Sequence, residues 1–371
     1  MKKRLTILAI LSLAFCAGHP PAHAGQLSAR AAGSVIDGES LFKQGLQAAK
    51  NGSVEQARAL FQRSLAATPE QIEPLVHIGI ALADLGAYEF ARSAFERALK
   101  LGPDDAAALN GLGYVYYRLD HHDDAILYYR KALLKKEDPQ YRLNLGLALL
   151  AQSRWGQAED EFRLAICGRP SDYWALNNLG YALQLQGRNS AAVAAFQAAI
   201  DKSTGDLTAH GNLGALLVAA EAWPQAARVY GNALKVDDTY ADAHLGLANA
   251  LTQMGKVDQA ILELRVLSRL RAPSAPAHHL MAELYAHRNE ISAARREAEQ
   301  AVALSPEEAT YYLTLGRIYD TLGLKNRAAG AFKRVLQLKP STQEADSLRA
   351  WLRNYRVPDR YIPLASCNFH A

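Results

Sequence analysis

A 34-residue period runs through this chain from about residue 38 to residue 342. It is plainest in one column of glycines: Gly45, Gly79, Gly113, Gly146, Gly180, Gly214 and, further on, Gly316. A column of alanines keeps register with it: Ala57, Ala91, Ala125, Ala158, Ala192, Ala226, Ala260, Ala294 and Ala328. Four places after each alanine most units carry a bulky residue: Phe61, Phe95, Tyr129, Phe162, Phe196, Tyr230, Leu264 and Phe332. A period of this size belongs to stacked supersecondary units, each too small to bury its apolar face alone.

Each unit reads as two helices joined by a short turn. In the second, Leu75, Ile78, Leu82 and Leu85 recur at helical spacing, Gly86 breaks the pattern, and Phe90, Ala94, Phe95, Ala98 and Leu99 resume it. The glycine and alanine columns mark places where two helices approach closely, since a larger side chain there would force them apart. The bulky column fills the space beside that approach. Pro69, Pro103, Pro170, Pro306 and Pro340 stop the second helix of their units. Gly52, Gly86, Gly187, Gly255 and Gly323 sit in the turns, where a helix C-terminus takes positive φ. The third unit is one residue short, and Asp138-Pro139 suits the cap and first position of the helix that follows. The eighth unit has Ala282 and Ala298 in the glycine and bulky columns, which predicts looser packing there.

The pattern Leu-Gly-x-x-[Tyr/Leu], then Ala, then [Phe/Tyr]-x-x-Ala, then Pro resembles the tetratricopeptide repeat (TPR) family. Nine copies stand in register: 38–71, 72–105, 106–138, 139–172, 173–206, 207–240, 241–274, 275–308 and 309–342. The resemblance implies an all-α fold, a right-handed superhelical solenoid of helix-turn-helix repeats. Residues 343–356 read as a C-terminal capping helix, with Leu348, Trp351 and Leu352 turned inward and Arg349, Arg353, Asn354 and Arg356 turned to water. Pro358 ends it, leaving a tail over 357–371.

Residues 1–24 read as a secretory signal peptide. Lys2, Lys3 and Arg4 precede an apolar run from Leu5 to Ala17, and Ala22-His23-Ala24 is a small-x-small cleavage site. The run is too short to span a bilayer comfortably. A flexible linker is expected over 25–37, and the mature chain is expected to be exported, periplasmic or secreted. The leader takes three of the 41 Lys and Arg and none of the 37 Asp and Glu, so the formal net charge falls from +4 to +1 and nucleic acid is not implied as a partner. From Ala309 onward ten basic residues stand against four acidic ones. That is the pattern of a solvated face, or of one that meets an acidic partner or the membrane surface. Of three cysteines, Cys167 and Cys367 survive cleavage; about five repeats separate them, too far for a disulfide. Cys167, beside Ala165 and Ile166, reads as a small buried hydrophobe.

The motifs of chemistry are sparse. His121-His122-Asp123-Asp124 occupies a turn, and His279, Glu283 and His287 recur every four residues along one helix, but neither is expected to hold a metal. The chain lacks a glycine-rich phosphate loop, Gly-x-Ser-x-Gly and Cys-x-x-Cys, so no cofactor and no catalysis are expected.

In the family that the chain resembles, the first helix of each unit lines a concave groove. Places 2, 5, 6, 9 and 12 of each unit then border it. Place 6 holds Asn144, Asn178 and Asn212; place 5 holds Asn110 and Asn177; place 9 holds Tyr114, Tyr181 and Asn249; place 12 holds Tyr117 and place 2 holds Trp174. An asparagine offers one acceptor and two donors, which matches a peptide unit, and tyrosines offer large contact area with polar tips. These residues are the expected partner-binding set, although asparagine at place 6 also suits a bond to the neighbouring helix. The expectation is a non-catalytic scaffold or adaptor of the bacterial cell envelope that takes extended protein segments in its groove. The alternatives are a self-assembling homo-oligomeric scaffold and a glycan-binding adaptor of a polysaccharide-export or pilus/secretion assembly.

Overall fold

A computed structural model describes residues 32–68, 70–270, 274–339 and 344–355, with side chains from Gly38 onward. Among the described residues every regular element is an α-helix. The signal peptide, Pro69, Pro340, Cys367 and the tail lie outside them. Helix α1 (Ala32–Lys50) starts inside the segment expected as a linker. The chain forms two compact units, Met1–Ala209 and His210–Ala371.

The first unit holds α1, α2 (Val54–Ala67), α3 (Ile72–Asp84), α4 (Tyr88–Leu101), α5 (Ala106–Arg118), α6 (His122–Lys135), α7 (Pro139–Ala151), α8 (Trp155–Gly168), α9 (Tyr173–Leu185) and α10 (Asn189–Lys202). Helix α11 (Leu207–Ala219) begins at its end. The second unit holds α12 (Trp223–Val236), α13 (Ala241–Gln253), α14 (Val257–Leu270), α15 (Ala275–His287), α16 (Ile291–Leu304), α17 (Ala309–Thr321), α18 (Lys325–Leu338) and α19 (Ala345–Asn354).

The glycine column is explained by the bulky column of its own unit. A methyl group built on Gly146 would lie 2.5 Å from the Phe162 ring, and one on Gly180 would lie 2.7 Å from the Phe196 ring. The same holds for Gly45 on Phe61, Gly79 on Phe95, Gly113 on Tyr129 and Gly316 on Phe332. Each ring packs against its glycine, and no room remains for a Cβ. Some rings are clamped from both sides: Phe95 also faces Gly111 of the next unit, at 2.4 Å from a built Cβ, and Tyr230 faces both Gly214 and Gly246. In the eighth unit Ala282 and Ala298 are both fully buried, so that hairpin closes against water without a ring.

Capping follows the sequence. Asp138 accepts from the Gln140 amide at 2.9 Å with Pro139 as first helical residue, and Asp105 and Asp172 cap α5 and α9 in the same way. At the C-terminus Leu348 is buried and the Trp351 ring meets Phe332 edge-on at 5.0 Å. The Trp351 indole donates to Asp320, and Arg317 pairs with Glu344, so α19 covers the last repeat. Cys167 does not follow expectation: it is exposed. It is the thirteenth residue of a second helix, as is Leu134, which is 83% exposed.

All nine hairpin turns carry a residue with positive φ. Five are the expected glycines, and the other four are Asp120, Ser153, Glu221 and Asn289. A side chain in the left-handed region costs about 1–2 kcal/mol that glycine avoids. Glu221→Gly is therefore expected to raise the unfolding free energy by about 1 kcal/mol, and Gly187→Ala to lower it by a similar amount, read from urea denaturation.

Candidate functional site

Places 5 and 6 of the first helices do not present open amides. Asn110 and Asn144 are 5% and 6% exposed. The Asn144 amide donates to Asn110 Oδ1 at 3.0 Å, and Gln140 donates to Asn144 Oδ1 at 3.2 Å. A hydrogen-bonded chain thus runs from Gln140 through Asn144 into the preceding repeat. In the second unit the same two places pair again, as His279 of one repeat with Thr314 of the next at 2.9 Å. Asn177 is buried, and so is Asn178, whose amide bonds back to the Trp174 carbonyl at 2.8 Å.

Gly111 and Gly246 show why. Both occupy place 6, and both lie against the ring of the preceding repeat. At Gly111, Asn144 and Gly246 place 6 therefore faces the neighbouring hairpin, and Asn144 serves as a stitch between repeats. The expectation that Asn110 and Asn144 border an open groove is corrected on this geometry.

Functional groups stay near the surface at places 9, 12 and 13, at Trp174 in place 2 and at Asn212 in place 6. Tyr117 and Tyr181 are half-buried in the first unit, and Asn249 is half-buried in the second, as is Asn212. Trp174 is half-buried too, with its indole nitrogen shielded from water and bonded to no described residue. Tyr114 is buried at the floor, and its hydroxyl accepts from Arg118 at 2.8 Å. Arg118 is exposed; its guanidinium stands 5.2 Å from the Tyr88 ring centre and 5.7 Å from that of Tyr114. Asp84 lies one repeat earlier at the same place 13. Loss of solvation beside the neighbouring helices pushes its carboxyl up to about 6, with the Arg118 charge pulling the other way. Burial likewise raises the Tyr114 and Tyr117 hydroxyls.

Sequence reasoning missed Asp84, Tyr88 and Arg118 as a group. The signal was present: charges of opposite sign, 34 residues apart at place 13, with tyrosines beside both.

Other polar groups hold the scaffold. Glu159 is buried, which alone would raise its carboxyl, but bonds from Gln186, Arg163 and Arg188 outweigh this and hold it low. Arg142 with Glu161, His244 with Glu263 and His278 with Glu297 tie the two helices of their repeats at 2.8, 2.7 and 2.6 Å. Among the described residues no three His, Cys, Asp or Glu side chains gather as a metal site. Several basic residues at the C-terminal end are paired: Arg334 with Glu307, Lys339 with Glu308, Lys325 with Asp320 and Arg349 with Asp346. Among the described residues no helix is long and apolar enough to cross a membrane.

Family models described as tetratricopeptide repeat match residues 77–142, 143–206 and 279–342, and a second such model matches 217–284. The chain belongs to the tetratricopeptide repeat family. No curated protein matches it in sequence. Solved structures that resemble this TPR chain include a tetratricopeptide repeat protein from Parabacteroides merdae, 16% identical over 67% of this chain and 98% of that one, with a TM-score of 0.47. YrrB, a TPR protein with an unusual peptide-binding site, is 22% identical over 49% of this chain and 95% of its own, with a TM-score of 0.40. Pseudomonas aeruginosa pilF is 18% identical over 64% and 94%, with a TM-score of 0.42.

The TPR stitch makes a definite demand on stability. Asn144→Ala removes a donor from Asn110 and an acceptor from Gln140, and is expected to cost about 1–3 kcal/mol in urea unfolding at unchanged slope. A change within experimental error would mean that place 6 does not hold the repeats together.

Proposed function

We propose that this TPR protein is a non-catalytic adaptor that takes protein segments along the face lined by its first helices. The TPR fold is in general one of protein–protein interaction scaffolds, and that supports the broad reading. The narrower one rests on how polar groups are distributed. Asn110 with Asn144 and His279 with Thr314 are spent on stitching repeats at places 5 and 6, whereas Tyr117 and Tyr181 keep half-buried aromatic surface with polar tips and Arg118 stands exposed near Tyr117. Such groups give contact area at low entropic cost.

The leader-like segment 1–24 places the protein in the cell envelope in this proposal, as an exported adaptor of a pilus, secretion or polysaccharide-export assembly. The basic C-terminal end is the candidate membrane contact, reduced in strength by the acidic partners described above. End-to-end self-assembly is disfavoured, because the exposed side chains of α1 include Lys43, Gln44 and Gln47, and α19 covers the other end. Glycan binding would use the Trp174 and Tyr181 rings.

A photo-crosslinking amino acid placed singly at Tyr117, at Tyr181 or at the outward-facing Leu127 separates these readings in the native envelope. The expected result is protein adducts from the first two positions and none from Leu127. Adducts only between copies of the chain would replace the adaptor with a self-assembling scaffold, and adducts from Leu127 alone would move the binding face to the second helices.

A further inference from the structure

The wall formed by the ends of α3 and α5 and the start of α4 differs from the rest of the first-helix face. Among the described residues no side chain hydrogen-bonds or ion-pairs with Asp84, although it is ionisable and exposed. Tyr88 and Tyr117 are half-buried, and their hydroxyls have no hydrogen-bond partner among the described residues. Arg118 is well provided for: the Tyr114 hydroxyl accepts from it and two rings flank its guanidinium. The compensation is therefore lopsided. The cation of this cluster is hydrogen-bonded, whereas the anion meets only the through-space attraction of Arg118.

We propose that this wall, in repeats two and three, receives a basic side chain of the bound partner segment, a lysine or arginine whose charge meets Asp84 and whose aliphatic stem lies against the tyrosines. The proposal rests on the groove reading above and names the chemistry of its occupant. An exposed carboxylate without a hydrogen bond or a close ion pair gains from an incoming cation, whereas an incoming anion would meet it as a like charge. Tyrosine faces attract ammonium and guanidinium groups, as the position of Arg118 over Tyr88 and Tyr114 illustrates within the chain. Ile80, half-buried one repeat before Tyr114 at the same place 9, offers an apolar contact for the neighbouring residue of the partner. The raised Asp84 carboxyl agrees with an anion short of compensation.

Three labelled leucine-rich peptides test this, identical except for a central lysine, glutamine or glutamate, titrated into the intact chain by fluorescence anisotropy. At about pH 7.5 the lysine peptide is expected to bind about tenfold more tightly than the glutamine peptide, and the glutamate peptide more weakly than either. Asp84→Asn should abolish that preference while leaving glutamine-peptide binding in place. The preference should also fade at about pH 5, where a carboxyl raised to about 6 is mostly neutral.

The fold of the variant is checked by melting. A carboxyl raised from 3.8 to about 6 carries its full stability only below about 3.8, loses it as the pH rises to about 6, and opposes folding by a constant amount above that. Asp84→Asn should therefore melt above the wild type at about pH 7.5, by a margin that shrinks only as the pH falls from about 6 towards about 3.8. Equal binding of the three peptides, or a lysine preference that survives Asp84→Asn, would overturn the inference and leave the groove reading standing. Failure of all three to bind would remove both.

Discussion

Most of this array depends on an aromatic ring packed against a glycine. In seven of the repeats the ring of the second helix fills the space over the backbone of its own first helix, and the missing Cβ lets the two axes come close enough to exclude water. Where the ring also meets a glycine of the following repeat, as Phe95 meets Gly111 and Tyr230 meets Gly246, the same contact joins hairpin to hairpin. A hairpin of this size has little interior of its own, so these shared contacts supply what a larger domain would draw from a single core.

This packing decides which residues remain for a partner. Where place 6 abuts the preceding ring, as at Gly111 and Gly246, or bonds to the preceding repeat, as at Asn144, the residue is committed to the repeat interface. The face left over consists of places 9, 12 and 13, where Tyr117, Tyr181, Asp84 and Arg118 keep exposed or half-buried surface. In the first unit most of that surface is aromatic or apolar, so the few charges on it weigh heavily in what it can hold.

The period, the hairpins, the ring-on-glycine columns and the Asp138-Pro139 helix start were all legible in the sequence, because each is a local rule repeated in register. The errors came where a side chain's direction depends on its neighbours. For Asn144 the sequence leaves both the groove and the neighbouring helix open, although Gly111 and Gly246 in the same column already mark a close approach. Cys167 was read as buried from the apolar residues beside it, although its register on the second helix, shared with Leu134, points outward. The left-handed turns at Asp120, Ser153, Glu221 and Asn289 were hidden because the geometry of the hairpin, not the residue, imposes them. Asp84 escaped notice because a single acidic residue at a helix end looks ordinary until the tyrosines and Arg118 are seen around it.

The ring-on-glycine contact is tested most directly by a double-mutant cycle of Gly180→Ala and Phe196→Leu in urea denaturation. Alanine gains about 1 kcal/mol in helix propensity and loses about 1–3 kcal/mol to overpacking, so the single variant alone decides little. In the cycle the propensity cancels, and the clash of a Cβ placed 2.7 Å from the ring remains. A coupling of about 1–3 kcal/mol, with alanine tolerated far better beside leucine than beside phenylalanine, is the predicted result. Additive effects of the two substitutions would contradict the account.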